Sequence, residues 1–256
     1  SNMGRETHLI EVDWEREPYW WKEKKYLWPV AAPSTGRVER TSPLPFADSQ
    51  HRPSLTLRDD FEQRELGLAW TFRRAPEADA YSLNSRPGFL RLYSQSTTPA
   101  ARGRVAQVGI KQTESDFLFT ARTHFESQTI NSEAGVTLFQ KDDHFLNAVV
   151  KRQEKGYELN ITLANRGAPA VLTSKPVPEY AGVIEWQLES LGKHYEVRYR
   201  FTPESEWSLL HAMPSNQLLS QYYTGAHVGF YASSNGTATA DYMDIDWADY
   251  RAKPRQ

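Results

Sequence analysis

The chain has 256 residues, a formal net charge of −2 and no cysteine, enough length for one large domain with an ordered extension. Its near-neutral balance, with a pI near 6.4, excludes the basic field that drives nucleic-acid binding, and the missing cysteines exclude disulfides and thiolate metal sites. No apolar run approaches the ~18 residues a membrane-crossing helix needs, so neither nucleic acid nor a membrane is an expected partner.

Ser1-Asn2 ahead of Met3 reads as a tag-cleavage remnant, so the natural N-terminus is expected to lie elsewhere. The stretch THLIEVDW then predicts a strand, with Leu9, Glu11 and Asp13 opposite His8, Ile10, Val12 and Trp14. Next comes a tract to Phe46 with five prolines and no clear period, which reads as a connector lying over a surface. Trp20, Trp21 and Trp28 in it suit two roles: stacking on the C–H face of a sugar ring, or pinning the connector to an apolar surface. Residues 1–54 are accordingly set apart as an irregular extension, and 55–251 as the main domain.

Within that domain, Asn84-Ser85-Arg86-Pro87-Gly88 predicts a chain reversal, because Pro87 fixes φ and Gly88 permits positive φ. Leu90 and Leu92 then alternate with Phe89, Arg91 and Tyr93, a period of two that places the leucines on one face of a strand. The same period recurs where Phe117, Phe119 and Ala121 alternate with Leu118, Thr120 and Arg122. It recurs again at Tyr157, Leu159, Ile161 and Leu163, and at Tyr195, Val197, Tyr199 and Phe201. Glu154-Lys155-Gly156, Leu191-Gly192-Lys193 and Asn235-Gly236 supply the short turns that antiparallel hairpins need. No segment sustains a 3.6 period. The fold class is therefore all-β, an antiparallel two-sheet sandwich of the jelly-roll type. Trp70 and Trp186 are assigned to its core, Trp186 because it shares a face with Ile184 and Leu188.

With strands assigned, a family resemblance can be stated. LRDDF at 57–61, LGLAWTFRRAP at 66–76, YSLNSRPGFLRLYS at 81–94, EAGVTLF at 133–139, YTGAHVGFYA at 223–232 and DIDWADY at 244–250 occur in one order. Together they resemble the C-terminal, concanavalin A-like β-sandwich of glycoside hydrolase family 43, the β-xylosidases and α-L-arabinofuranosidases. The resemblance covers roughly residues 55–250, and the opening GRETHLIEVDW resembles the family's last propeller strand. It implies that the acid and base reside on a five-bladed propeller outside this sequence, in cis or in trans, because inversion needs two carboxyl groups ~6.5–9.5 Å apart.

Asp244, Asp246 and Asp249 form a D-x-D-x-x-D cluster, in which a regular strand puts Asp244 and Asp246 on one face, within ~7 Å of each other. Three readings stand: a catalytic set like the E-x-D-x-x-E of retaining glycosidases with related sandwiches, a calcium site, or solvated carboxylates. For calcium, the resemblance implies that Asp246 and Asp60 meet at a structural Ca²⁺. It also implies that Tyr223, standing where β-xylosidases carry a phenylalanine, sits on a loop closing one side of the propeller's substrate pocket, unless Tyr222-Tyr223 merely starts a strand. His124, His144, His194, His211 and His227 show no metal spacing, and Asn160 and Asn235 head glycosylation-acceptor triplets.

The expected function is a structural, pocket-completing accessory module of a family 43-like enzyme acting on xylo- or arabino-oligosaccharides. The alternatives are a free carbohydrate-binding module and a small glycosidase using Asp244, Asp246 or Asp249.

Overall fold

The structure, a computed structural model, describes residues 9–16, 18, 21, 26–39, 45, 55–218 and 225–253. Two compact units emerge, one within Glu6–Pro53 and one from Ser54 onward. Among the described residues no helix is long and apolar enough to cross a membrane.

In the first unit, β1 (Val12–Glu15) pairs antiparallel with β2 (Trp28–Ala31), Val12 opposite Ala31 and Glu15 opposite Trp28. The strand is shorter than the eight-residue alternation predicts. Trp21 meets Trp28 edge-on at 4.5 Å, yet Trp14 and Trp28 keep 64% and 44% of their surface exposed. Taken by itself, this hairpin covers little of its own apolar area. Trp20 lies outside the described residues.

The second unit runs through β3 (Thr56–Asp59), β4 (Trp70–Phe72), β5 (Tyr81–Ser82), β6 (Leu90–Tyr93), β7 (Ala106–Lys111) and β8 (Asp116–Phe125). It continues with β9 (Glu133–Lys141), β10 (His144–Gln153), β11 (Gly156–Asn165), β12 (Ala170–Pro176) and β13 (Val183–Leu191). The last strands are β14 (His194–Arg200), β15 (Ser208–Pro214), β16 (His227–Ser233) and β17 (Tyr242–Lys253). A seven-stranded sheet has the order β12-β11-β10-β9-β16-β7-β4, and an eight-stranded sheet the order β15-β14-β13-β8-β17-β6-β5, with β3 also on β17. Every ladder among the described residues is antiparallel; hairpin-linked strands such as β9 to β12 and β13 to β15 alternate with pairings of sequence-distant strands, β16 on β7 and β9 and β17 on β8 and β6, as in a jelly roll.

The core lies between the two sheets. Leu90, Leu92, Phe117, Phe119, Ala121, Leu159, Ile161, Trp186 and Tyr195 point into it and are almost wholly buried, so the period-two reading of these strands assigns their inner faces correctly. Trp70 joins an aromatic chain across the sandwich: Phe61 at 5.6 Å, then Phe230 at 5.8 Å, which meets Phe119 at 5.7 Å. The indole N–H of Trp70 donates to Asp59 at 2.7 Å, and the other oxygen of Asp59 accepts from the Phe61 amide at 2.9 Å. That acceptor helps hold Phe61 at a φ of 55°, a left-handed conformation rare for an aromatic residue.

Turn chemistry matches the sequence at Arg86–Phe89, where the Phe89 amide donates to the Arg86 carbonyl at 3.1 Å and Gly88 has φ 77°. Proline then glycine at the two central positions is a type II turn. Glu154-Lys155 and Gly192-Lys193 close the β10–β11 and β13–β14 hairpins. Asn235-Gly236 corrects the sequence reading. Both residues have positive φ, but they join β16 to β17 in the other sheet, so the turn is a crossover and not a hairpin.

Gly135 and Gly229 mark where strands crowd. A Cβ on Gly135 would stand 2.2 Å from the Ala148 carbonyl oxygen, and one on Gly229 2.2 Å from that of Val108. Backbone is the obstacle in both cases, so relief requires strand movement. Gly229→Ala is expected to cost about 2 kcal/mol or more, read as a lower denaturation midpoint with an unchanged slope.

Candidate functional site

Strand β17 carries the aspartate cluster, and its geometry turns on one inserted residue. Ile245 pairs with Thr123 and Trp247 with Arg122, so Asp246 is a bulge between them. The bulge switches the buried side of the strand: Met243 and Ile245 face the core before it, and Ala248, Tyr250 and Ala252 after it. The regular alternation expected across Asp244–Asp249 is therefore broken.

Each carboxylate has its own guanidinium. Arg91, opposite Asp244 on β6, grips it with two bonds, Nε to Oδ1 at 2.7 Å and Nη2 to Oδ2 at 2.9 Å, while Arg86 adds a third at 3.3 Å. Asp246 faces Arg122 at 3.6 Å, and Asp249 accepts two bonds from Arg251 at 2.8 and 3.1 Å. A general acid needs a carboxyl that holds its proton, and a base needs one free to take one. The three carboxylates of this face are each paired with an arginine.

Aromatic rings interleave with the arginines. Arg86 lies over Phe89 at 3.5 Å, Arg91 over Tyr242 at 3.6 Å and Arg58 over Trp247 at 4.2 Å. His124 stands between them, with the Phe89 edge at 5.2 Å and Arg86 Nη1 at 3.3 Å from Nδ1. Arginine only donates, so Nδ1 accepts and the ring proton sits on Nε2. Burial first, then Arg86 and Arg122, push the His124 pKa below its usual value.

The remaining expected residues separate. Asp60 is exposed at the end of β3, while its neighbour Asp59 bonds Phe61 and Trp70; in DDF the anchoring carboxylate is the first, not the second. Tyr223 lies outside the described residues, between Leu218 and Gly225. Asn160 is buried in β11 with its amide donating to Glu158, which rules out the surface position a glycan needs. No group of three or more His, Cys, Asp or Glu among the described residues is arranged to hold a metal.

A second feature was not read from the sequence. On the outer face of the seven-stranded sheet, Gly229 pairs with Gly109 on one side and Thr137 on the other. The two glycines leave the floor bare, and a cavity of about 140 Å³ opens above it, walled by Arg73, Gln107, Thr137, Phe139 and His227. The Arg73 side chain is 5% exposed and Gln107 is 4% exposed. Arg73 Nη2 donates to Asp142 and to the Ala101 carbonyl, but its Nε and Nη1, and Oε1 of Gln107, have no partner. Leaving such buried groups unmet costs about 1–3 kcal/mol each. Burial pulls Arg73 below the usual guanidinium range against the attraction of Asp142, and burial and Lys111 depress His227. The available sequence signal was Gly109 and Gly229 in strands otherwise rich in large residues.

Two outcomes follow for the aspartate face. Asp244→Asn removes the charge that compensates Arg91 and Arg86 and is expected to cost about 3 kcal/mol, as breaking a buried pair does, measured by chemical denaturation. For His124 the folded pKa is depressed, so the unfolded state binds the proton more readily below about pH 6.5. Stability is expected to fall as pH drops through that value, with His211 and His227 shifted the same way by burial. His124→Gln is expected to shallow that fall; an unchanged slope rejects the assignment.

Comparison with known proteins follows the same lines. The chain is 26% identical over 254 residues, 98% of its length, to the non-reducing end alpha-L-arabinofuranosidase BoGH43B of Bacteroides ovatus, covering 46% of that protein. Against a xylosidase/arabinosidase of Butyrivibrio fibrisolvens it is 25% identical over 250 residues, 96% of this chain and 46% of that one. The solved structure of the Bacteroides ovatus xyloglucan-locus GH43B superposes with a TM-score of 0.78 at 24% identity, over 94% of this chain and 46% of that one. The chain thus spans a little under half the length of the curated relatives it matches. Residues 58–251 match the family described as the beta xylosidase C-terminal Concanavalin A-like domain, the same stretch that builds both sheets from β3 to β17, and the chain belongs to that family.

Proposed function

We propose that the chain is the accessory β-sandwich of a family 43-like glycoside hydrolase acting on xylan- or arabinan-type saccharides, structural and pocket-completing, with the acid and base on a propeller partner. The observation carrying this reading is coverage: nearly the whole chain aligns with less than half of an arabinofuranosidase. Arginine pairing of Asp244, Asp246 and Asp249 supports it, because a self-sufficient glycosidase needs two free carboxyl groups. Exposed Trp14, Trp28 and Leu27 on the β1–β2 unit support a covering partner as well, since apolar patches of that kind mark interaction surfaces. Tyr223 is the residue assigned to the substrate pocket.

The calcium expected at Asp60 and Asp246 finds a poor donor set. Ca²⁺ takes six to eight oxygens, whereas Asp246 already faces the positive Arg122. We infer that Arg122 meets the need of Asp246 for a cation. A melting temperature that is the same with calcium and with chelator is expected, and a rise with free calcium that Asp60→Ala abolishes overturns the inference.

The test of the module is activity. The chain alone is expected to turn over neither aryl β-xyloside nor aryl α-L-arabinofuranoside. Joined in cis to the propeller half of the Bacteroides ovatus relative, it is expected to restore turnover above that of the propeller half alone. There Tyr223→Ala should lower kcat/KM by roughly tenfold or more, the scale set by loss of a positioning contact. Turnover by the chain alone, abolished by Asp246→Asn, rejects the accessory reading.

A further inference from the structure

We propose that Asn235 is a site of spontaneous modification, losing ammonia to its neighbour Gly236, and that the carboxylate so formed unlatches the crossover leading into β17. Eight asparagines occur in the chain, and Asn235 alone is followed by glycine. Asparagine is among the chemically labile side chains, and here the reaction is closure of a five-membered ring. The Gly236 amide nitrogen attacks Cγ of Asn235, the new bond replaces the one from Cγ to Nδ2, and the proton lost by Gly236 leaves with Nδ2 as ammonia. Water then opens the ring at either carbonyl, giving aspartate or its backbone-shifted isomer isoaspartate. No oxidant and no second protein is needed. A side chain on the following residue crowds that attack, and glycine has none.

The surroundings decide both when the reaction occurs and what it does. Ser234 to Thr237 is a type I′ turn: the Thr237 amide donates to the Ser234 carbonyl at 3.3 Å, and Asn235 and Gly236 have φ 49° and 98°. Gly236 is exposed, and a Cβ placed on it would meet nothing within 4 Å, so water reaches the ring. In the closed turn both reacting groups are held. The Gly236 N–H donates to the Ser96 carbonyl at 2.8 Å, while Nδ2 of Asn235 donates to the Asn131 carbonyl at 2.8 Å and to Glu133. Conversion therefore waits for local opening of the crossover. Once made, the product does not fit back. Glu133 is buried, accepts from the Tyr231 hydroxyl at 3.1 Å and lies opposite Lys151 in the β9–β10 ladder. Aspartate supplies no N–H, so the Asn131 carbonyl and Glu133 each lose a donor. Two carboxyl groups then meet where burial already pushes the Glu133 pKa up. Isoaspartate also adds a methylene to the main chain, which draws the Gly236 amide away from Ser96. This turn delivers the chain to Tyr242, where β17 begins.

The experiment incubates the full chain at mildly alkaline pH, native and in guanidinium chloride. Peptide mapping by mass spectrometry reads the mass gained when OH replaces NH2, and isoaspartyl methyltransferase labelling reads the isomer. Conversion is expected at Asn235 ahead of Asn84 and Asn131, the asparagines followed by serine. It is expected to run roughly tenfold or more faster in denaturant than in the native chain, because the turn must open first. Asn235→Asp, the product itself, is expected to lower the guanidinium midpoint and to speed amide hydrogen exchange along Tyr242–Ile245 by about tenfold or more. Adding Glu133→Gln returns an N–H donor facing residue 235 and removes one of the two carboxyl groups, so it is expected to recover part of that loss. A purely steric effect of the substitution shows no such recovery. If Asn235→Asp does not fold, the same exchange is read on the partly converted original chain. Three results overturn the proposal: Asn84 or Asn131 converting ahead of Asn235, equal rates in the native chain and in denaturant, or a converted chain whose β17 amides exchange as slowly as before.

Discussion

One extra residue in β17 governs how this sandwich is assembled. The strand must serve β6 along its first part and β3 along its second, on the same edge, while β8 runs along the other edge throughout. A bulge at Asp246 raises local twist and lets the strand change which side it buries without leaving the sheet. Met243 and Ile245 seal the core at one end, and Ala248 and Tyr250 at the other. As a result, Asp244 meets Arg91 before the bulge and Trp247 meets Arg58 after it, both on the outer face, whereas a regular pleat would point residues 244 and 247 to opposite faces.

The two sheets treat polar groups in opposite ways. On the eight-stranded sheet, carboxylates, guanidinium groups and aromatic rings interlock, and most of the charge is matched locally. On the seven-stranded sheet, small residues open a recess and two deeply buried polar side chains keep unmet valences. Paired and unpaired polar groups are thus segregated by layer, with the hydrophobic core between them.

Much of the fold was legible because one-sided burial imposes a period of two. Alternation alone puts Leu90 with Leu92, and Phe117 with Phe119 and Ala121, on single faces, which the structure buries, and puts Trp186 in the core; proline followed by glycine marks the turn at Pro87-Gly88. What escaped was whatever breaks the period or depends on a distant strand. The bulge at Asp246 leaves no local signature, since Asp-Ile-Asp-Trp alternates perfectly well on paper. The choice of Asp59 over Asp60 depends on the Trp70 indole, and the crossover at Asn235-Gly236 has the same composition as a hairpin turn. The recess over Gly109 and Gly229 was invisible because it needs two glycines from strands more than a hundred residues apart to fall opposite each other.

The placement of β17 also has a kinetic consequence. It is the last strand among the described residues, yet it lies inside the eight-stranded sheet, with β8 on one edge and β6 and β3 on the other. Tyr250 must find Leu57 and Met243 must find Leu92, closures of very long loops that make folding slow. Local hairpins such as β10–β11 can form early, but until β17 inserts, β8 presents an unpaired edge beside an exposed apolar face. Such intermediates invite edge-to-edge association. Chains truncated ahead of Tyr242 are therefore destined for aggregates, whereas the intact chain escapes them only through its final ladder.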